Sequence, residues 1–305
     1  MRSRLWSSNA EAVLWVLAAT ALFSIVFASG KFAGDAAAPL QILFLRYCGG
    51  LLAIVAIMVL RPEPFSAWRS NRLGAHLLRA FFGSYGGAAV IHASASMPIV
   101  DATAISLLQV VFLIVFGVLL FKERIGRLHW LAIVLCCAGA TIVMISRGAF
   151  RSFDTAYLIP AGFALTGALF VALETVLIKT LSHSDKALTV LVHVNVFGLV
   201  LTMPIALMTW QSTHLVDNWP FVLLGPIAIT AQYMVIRGYR MADVSVVGPI
   251  DYTWLIFAAL IGLVFFQEIP TLGVVMGSVI IATGGVILAL IKPIPPRRSY
   301  PVTQS

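Results

Sequence analysis

Charge is what this chain has least of. Only 10% of its 305 residues are Asp, Glu, Lys or Arg, while 60% are hydrophobic, and the mean hydropathy is +0.99. A soluble domain carries roughly 25% charged residues, so this composition cannot supply a water-facing surface. Cysteine is scarce too. Cys48, Cys136 and Cys137 all fall in apolar runs, which excludes a disulfide framework and offers no zinc spacing. Gly-x-x-x-x-Gly-Lys-Ser/Thr, His-Glu-x-x-His and Cys-x-x-Cys are absent. No ATP hydrolysis, metal site, cofactor or enzymatic activity is therefore expected. The run Ser182-His183-Ser184-Asp185 lies in a loop, where adjacency in sequence is not triad geometry.

Long apolar runs fill the space that charge leaves. Ten spans of about 20 residues use roughly 200 positions, and they are expected at 12–33, 39–60, 74–95, 101–121, 128–146, 155–178, 187–209, 219–239, 245–266 and 271–291. The third and eighth are the least apolar. The first, preceded by Arg2 and Arg4, imitates a signal peptide, but it is long and nine more spans follow. A formal charge of +8 can signal nucleic acid; here it reads as topology. With the N-terminus inside, fifteen of the twenty Lys and Arg fall on the cytoplasmic side, and only Lys31, Arg147 and Arg151 fall outside. The positive-inside rule then puts both termini in the cytoplasm and removes any need for a nucleic-acid partner.

One pattern occurs twice, 145 residues apart. Gly117-Val-Leu-Leu-Phe121-Lys-Glu123 precedes an apolar span holding Gly139, and Gly262-Leu-Val-Phe-Phe266-Gln-Glu268 precedes one holding Gly284. The register extends to Ile105/Ile250 and Phe112/Phe257. A boundary near 150 gives five spans to 1–150 and five to 151–305. Five is odd, so the halves are inverted, as in carriers that open alternately to each side. The expected fold is an all-α integral membrane protein, ten transmembrane helices arranged as two inverted five-helix repeats.

These duplicated span–Glu–span units, with Arg46-Tyr47 in the second span and Ala242-Asp-Val-Ser-Val-Val-Gly-Pro249 before the ninth, resemble the drug/metabolite transporter superfamily, specifically its ten-helix EamA-type members. The resemblance covers almost the whole chain. It implies a secondary carrier of a small metabolite in a bacterial inner membrane, monomeric or homodimeric. Many relatives carry a proline deep in the fourth span, where this chain has Gln109-Val-Val. The ninth-span sequence is similar to the subgroup with S-adenosylmethionine and riboflavin carriers. Superfamily membership leaves uptake of such a molecule and export of amino acids or drugs both open. A membrane-embedded enzyme or a channel is the reading from another class.

Polar groups in hydrocarbon are costly, so each is a candidate site. Arg46 offers a planar fork to an anionic or carbonyl-bearing substrate, or serves as a structural partner to a carboxylate. Asp251, Tyr252 and Trp254 follow Gly248-Pro249, which can open the helix. Asp251 is a candidate for a substrate cation, a coupling proton or an arginine, or is a helix-entry carboxylate. Glu174 and His193 are the other proton-coupling candidates, with an ion pair to Lys179 and plain packing as their structural readings. Ser106, Gln109, Gln232 and Tyr233 are mid-span polar groups. The repeat register sets Ser106 against Asp251 and Gln109 against Trp254. Tyr85, Tyr252 and Trp254 suit a planar ring or simply pack. Glu123 and Glu268 read as helix-end residues oriented by loop amides or basic neighbours. Trp6, Trp68, Trp130 and Trp219 read as interface anchors.

Overall fold

A computed structural model of the chain describes residues 8–33, 37–60, 68–97, 99–151, 154–211 and 215–291. Arg2, Arg4, Trp6, Arg61 and the tail from Lys292 lie outside the described residues, as does the side chain of Lys31. Every regular element described is helical: α1 (Ser8–Ala33), α2 (Pro39–Leu60), α3 (Leu73–Ser96), α4 (Ile99–Ser106), α5 (Leu108–Phe121), α6 (Arg127–Ser146), α7 (Leu158–Ser184), α8 (Ala187–Met208), α9 (Leu215–Met241), α10 (Val244–Val247), a 3₁₀ segment (Gly248–Thr253), α11 (Trp254–Phe266) and α12 (Leu272–Leu290). Among these residues, nine helical stretches are long and apolar enough to cross a membrane. The tenth span is α3. Its 24 residues reach about 36 Å at 1.5 Å per residue, ample for a bilayer core, and it falls short in hydropathy because it carries His76, Arg79 and Ser84.

The halves are interlocked rather than side by side. The most extensive interfaces join α6 to α12 and α3 to α7, followed by α1 to α9. In the 145-residue register α6 and α12 are mates, so their contact lies on the axis relating the repeats. The pairs α3–α7 and α1–α9 are equivalents, in which the first helix of one half packs on the third helix of the other.

Missing side chains permit this closeness. A methyl on Gly139 would stand 2.6 Å from the Gly277 carbonyl oxygen, and one on Gly277 would stand 2.6 Å from that of Gly139. Gly284 is pressed on Cys136 in the same seam. In lipid, close backbone approach of this kind is a main source of helix association. Gly50 abuts Asn195 Oδ1, which is its own repeat mate, so the axis also passes between α2 and α8. Trp130 and Trp219 are more than half exposed, whereas Trp68 is only 7% exposed. Trp68 is thus a packing residue and not the lipid-facing anchor expected from sequence.

The fourth and ninth spans are both interrupted. The fourth breaks at Leu107, between α4 and α5, and the ninth passes through its 3₁₀ segment before α11 begins at Trp254. The Leu107 break has no proline or glycine to announce it. Leu107 and Tyr252 are repeat mates, so both halves are irregular at the same register, by one turn residue in the first and by a six-residue 3₁₀ segment in the second.

The axial seam gives a direct test. Gly139→Val should lower the thermal unfolding midpoint in detergent, with a cost of about 2 kcal/mol from overpacking. Gly87→Ala, where a methyl meets nothing within 4 Å, should leave the midpoint unchanged.

Candidate functional site

The duplicated Gly…Glu motif has a physical explanation. α5 ends with Lys122 at φ 56° and α11 ends with Gln267 at φ 54°, both in the left-handed region that costs a non-glycine residue about 1–2 kcal/mol. The amides of Glu123 and Glu268 then turn back to the carbonyls of Gly117 and Gly262, at 3.2 and 3.0 Å. Each glutamate folds over that glycine. A methyl there would stand 2.9 Å from Glu123 Oε2 or 2.8 Å from Glu268 Oε2.

The Glu123 carboxylate is thereby aimed at the other half. It accepts hydrogen bonds from the Val244 amide at 2.6 Å and the Ser245 amide at 2.9 Å. These are orphan donors at the start of α10, where Asp243 provides no side-chain cap. A carboxylate suits both the donors and the positive end of the helix. The loop-amide reading of Glu123 is therefore what the geometry contains.

For orientation, the face carrying the α5–α6, α7–α8 and α9–α10 connections is called the basic face. Here Lys179 donates to the Ala242 carbonyl. Arg240 donates to the Ser182 carbonyl and, at 2.6 Å, to that of Asp185. A cavity of about 350 Å³ opens among Glu123, Lys179, His183, Arg240 and Asp243. Lys179 and Arg240 are already held by backbone oxygens, so this cavity is a knit closure between α7 and α9–α10 and not a free anion site.

Deeper in the bundle lies a second polar group. Arg79 on α3 is 1% exposed, and its Nε stands 3.8 Å from Glu174 Oε1 on α7, an ion pair beyond hydrogen-bond length. The Glu174 carboxylate rests on Gly83, where a methyl would come within 2.7 Å of it. The positive field of Arg46 on α2 also falls on Glu174, and the Arg46 guanidinium lies over the Tyr47 ring, 4.8 Å from its centroid. The Nε atoms of Arg46 and Arg79 are buried without a hydrogen-bond partner. His193 stacks on His76 with ring centroids 4.4 Å apart, and its Nδ1 is 2.8 Å from the Thr189 carbonyl oxygen. His76 in turn meets Asp185 at 2.7 Å.

Glu174 is thus paired with Arg79 and not with Lys179. Five residues along one helix are about 140° apart, so Lys179 points elsewhere. Nothing local to Arg79 in the sequence names Glu174 as its partner. The available signal was α3 itself, a span too polar for its position.

The third polar group surrounds the two breaks. The Tyr252 hydroxyl reaches the Leu107 carbonyl oxygen at 3.4 Å, and Cys137 Sγ lies 3.5 Å from the same hydroxyl. The ring is 4% exposed, which makes Tyr252 a link between the two interrupted spans. Asp251, beside it, has no hydrogen bond or ion pair among the described residues, and its field falls on Tyr239. Ser106 back-bonds to the Ala102 carbonyl at 2.7 Å. Gln232 Oε1 is buried without a partner, Gln109 is half-buried, and Trp254 packs on the main core. Tyr233 stands edge-on to Trp15 at 6.4 Å, and Tyr85 lies 4.7 Å from Phe81. Both tyrosines are more than a third exposed. Arg46, Glu174 and His193 therefore share one side, Asp251 and Tyr252 lie at the breaks, and Tyr85 and Tyr233 sit apart on α3 and α9.

A polytopic helical protein with two mirrored broken spans and unpaired charges inside its bundle belongs to the class of membrane transporters. The chain is a member of the EamA-like transporter family, whose model matches residues 10–145 and again 158–290. It is 26% identical over 280 residues to a riboflavin transporter of Vibrio cholerae, covering 89% of this chain and 90% of that one. It is 24% identical over 283 residues to a pseudopaline exporter of Pseudomonas aeruginosa, covering 92% and 96%. It is 20% identical over 269 residues to an S-adenosylmethionine uptake transporter of Rickettsia prowazekii, covering 88% and 89%. A solved crystal structure superposes with a TM-score of 0.78 at 20% identity, covering 92% of this chain and 98% of that one.

The cap across the repeat can be tested by mutation. Glu123→Ala strands two amides and should cost about 2 kcal/mol, read as a lower unfolding midpoint. Glu123→Gln should recover part of the loss, because an amide oxygen still accepts one of the two bonds.

Proposed function

We propose that this chain is a secondary active transporter of a bacterial inner membrane, with both termini cytoplasmic, that moves a small polar organic metabolite by alternating access. The observation carrying this reading is the contact of Tyr252 with Leu107, repeat mates at the interruptions of the two inverted halves. Rocking of one half against the other pivots at these breaks, while the bonds from the Val244 and Ser245 amides to Glu123 close the basic face between the halves, read as the cytoplasmic one. The cargo proposed is riboflavin or an S-adenosylmethionine-like molecule taken up from outside. The names of two relatives and the polar and aromatic groups of the bundle support it. The pseudopaline exporter, matched over 92% of this chain, supports the second reading, export of an amino-acid-derived compound.

The driving force proposed is the cargo gradient or protons, with Asp251, Glu174 and His193 as coupling groups. Asp251 is the leading group because it lies in the 3₁₀ segment of the ninth span with no ion pair among the described residues. A nucleic-acid partner and catalysis have no part in this account, and the working unit is a monomer or homodimer.

Saturable counterflow of labelled riboflavin or S-adenosylmethionine in proteoliposomes is the expected result. Flux that never saturates, with no counterflow, would point to a channel. Asp251→Asn should abolish accumulation while exchange persists. Unchanged accumulation in that variant removes Asp251 from coupling.

A further inference from the structure

The Arg46–Arg79–Glu174 group is short of negative charge. A guanidinium stays ionised in a protein interior, so two cations share a single carboxylate. Arg79 is loosely paired, and Arg46 acts on Glu174 only through its field. Arg79 Nε is 3.8 Å from Glu174, its Nη1 reaches the Val190 carbonyl oxygen only at 3.4 Å, and the Nε atoms of both arginines are buried without a partner. The remaining ionisable neighbours do not repair the deficit. His76 and His193 stack on each other, and Asp185 is taken by His76 and by Ser70 at 2.6 Å. An excess cation inside a membrane-spanning bundle with unmet donors is costly and is relieved by an anion arriving from outside the protein.

The group is also reachable. The Glu174 side chain is 20% exposed and Arg46 is half-buried. Gly83 lets the Glu174 carboxylate lie flat on α3, since any side chain there would collide with it.

We propose that Arg46 and Arg79 bind an anionic group of the cargo, a carboxylate or phosphate, and that Glu174 is the internal anion which holds the arginines in place until the cargo displaces it. This rests on the carrier reading and narrows its substrate class, favouring a carboxylate-bearing cargo such as an S-adenosylmethionine-like molecule over uncharged riboflavin. A carboxylate-bearing metabolite fits, and an uncharged ring alone leaves both guanidinium groups unanswered. Arg46 and Arg79 are binding residues in this account, and Glu174 acts as their competitor.

The test does not depend on knowing the cargo. Thermal unfolding of the purified full-length protein is followed at constant ionic strength with benzoate, and with benzamide as its uncharged isostere. Benzoate should raise the midpoint with an apparent affinity about tenfold or more above that of benzamide, the factor supplied by one charge-assisted hydrogen bond. Arg46→Gln should bring the two probes together, and Glu174→Gln should strengthen benzoate binding by removing its rival. If the two probes act equally on the unaltered protein, or benzoate binding survives Arg46→Gln, or Glu174→Gln weakens it, the anion site is wrong. Counterflow without benzoate stabilisation refutes the anion site alone. Benzoate stabilisation without counterflow of any cargo refutes the carrier and leaves the site.

Discussion

A helix that stops partway across a membrane leaves amides and carbonyls with no water to take them. The architecture of this protein depends on how that constraint is met twice. At the basic face the start of the ninth span, at α10, is capped by Glu123, which comes from the first half. Lower in the same pair of spans, the Tyr252 hydroxyl of the second half approaches the Leu107 carbonyl of the first. One span end and one interruption are therefore satisfied across the repeat axis, and each half supplies a backbone partner to the other. That explains why glycine is needed six positions before each glutamate: the carboxylate must fold flat over its own helix to reach across.

The other constraint is charge. The bundle keeps its ionic groups in separate places with different degrees of satisfaction. At the basic face Lys179 and Arg240 are held by carbonyl oxygens, which ties α7 to α9 and α10 without opposing charges. Deeper, Arg79 faces Glu174 at 3.8 Å while the field of Arg46 also falls on that carboxylate, and Asp251 has no ion pair among the described residues. A protein built only for stability would pair or remove such groups, since broken buried pairs cost several kcal/mol. Their incomplete pairing inside an otherwise well-packed bundle is what supports the proposed anion site.

Much of the fold was legible in the sequence because its causes are periodic. The ten spans follow from apolar length, and the inverted repeat follows from one motif at fixed spacing. The glutamates were read as helix-end residues from their place after an apolar run. Contacts set by distant chain segments were not legible. Glu123 and Val244 are 121 residues apart, and nothing local in either segment names the other. Glu174 was set beside Lys179 because they are neighbours in sequence, although the helix turns them away from each other. The register anticipated Ser106/Asp251 and Gln109/Trp254, and the mates in contact are the pair between them, Leu107 and Tyr252. The break at Leu107 was hidden because no residue there forbids a helix, and only its mirrored position reveals it.

The central claim is that the two broken spans are reached from one face of the membrane at a time. Cys137 lies 3.5 Å from the Tyr252 hydroxyl and serves as a native reporter once Cys48 and Cys136 are replaced by alanine. In right-side-out and inside-out vesicles, a membrane-impermeant thiol reagent should modify Cys137 from either face in turn. S-adenosylmethionine on one side should slow labelling from one face and speed it from the other. Simultaneous labelling from both faces, insensitive to that molecule, would contradict the account.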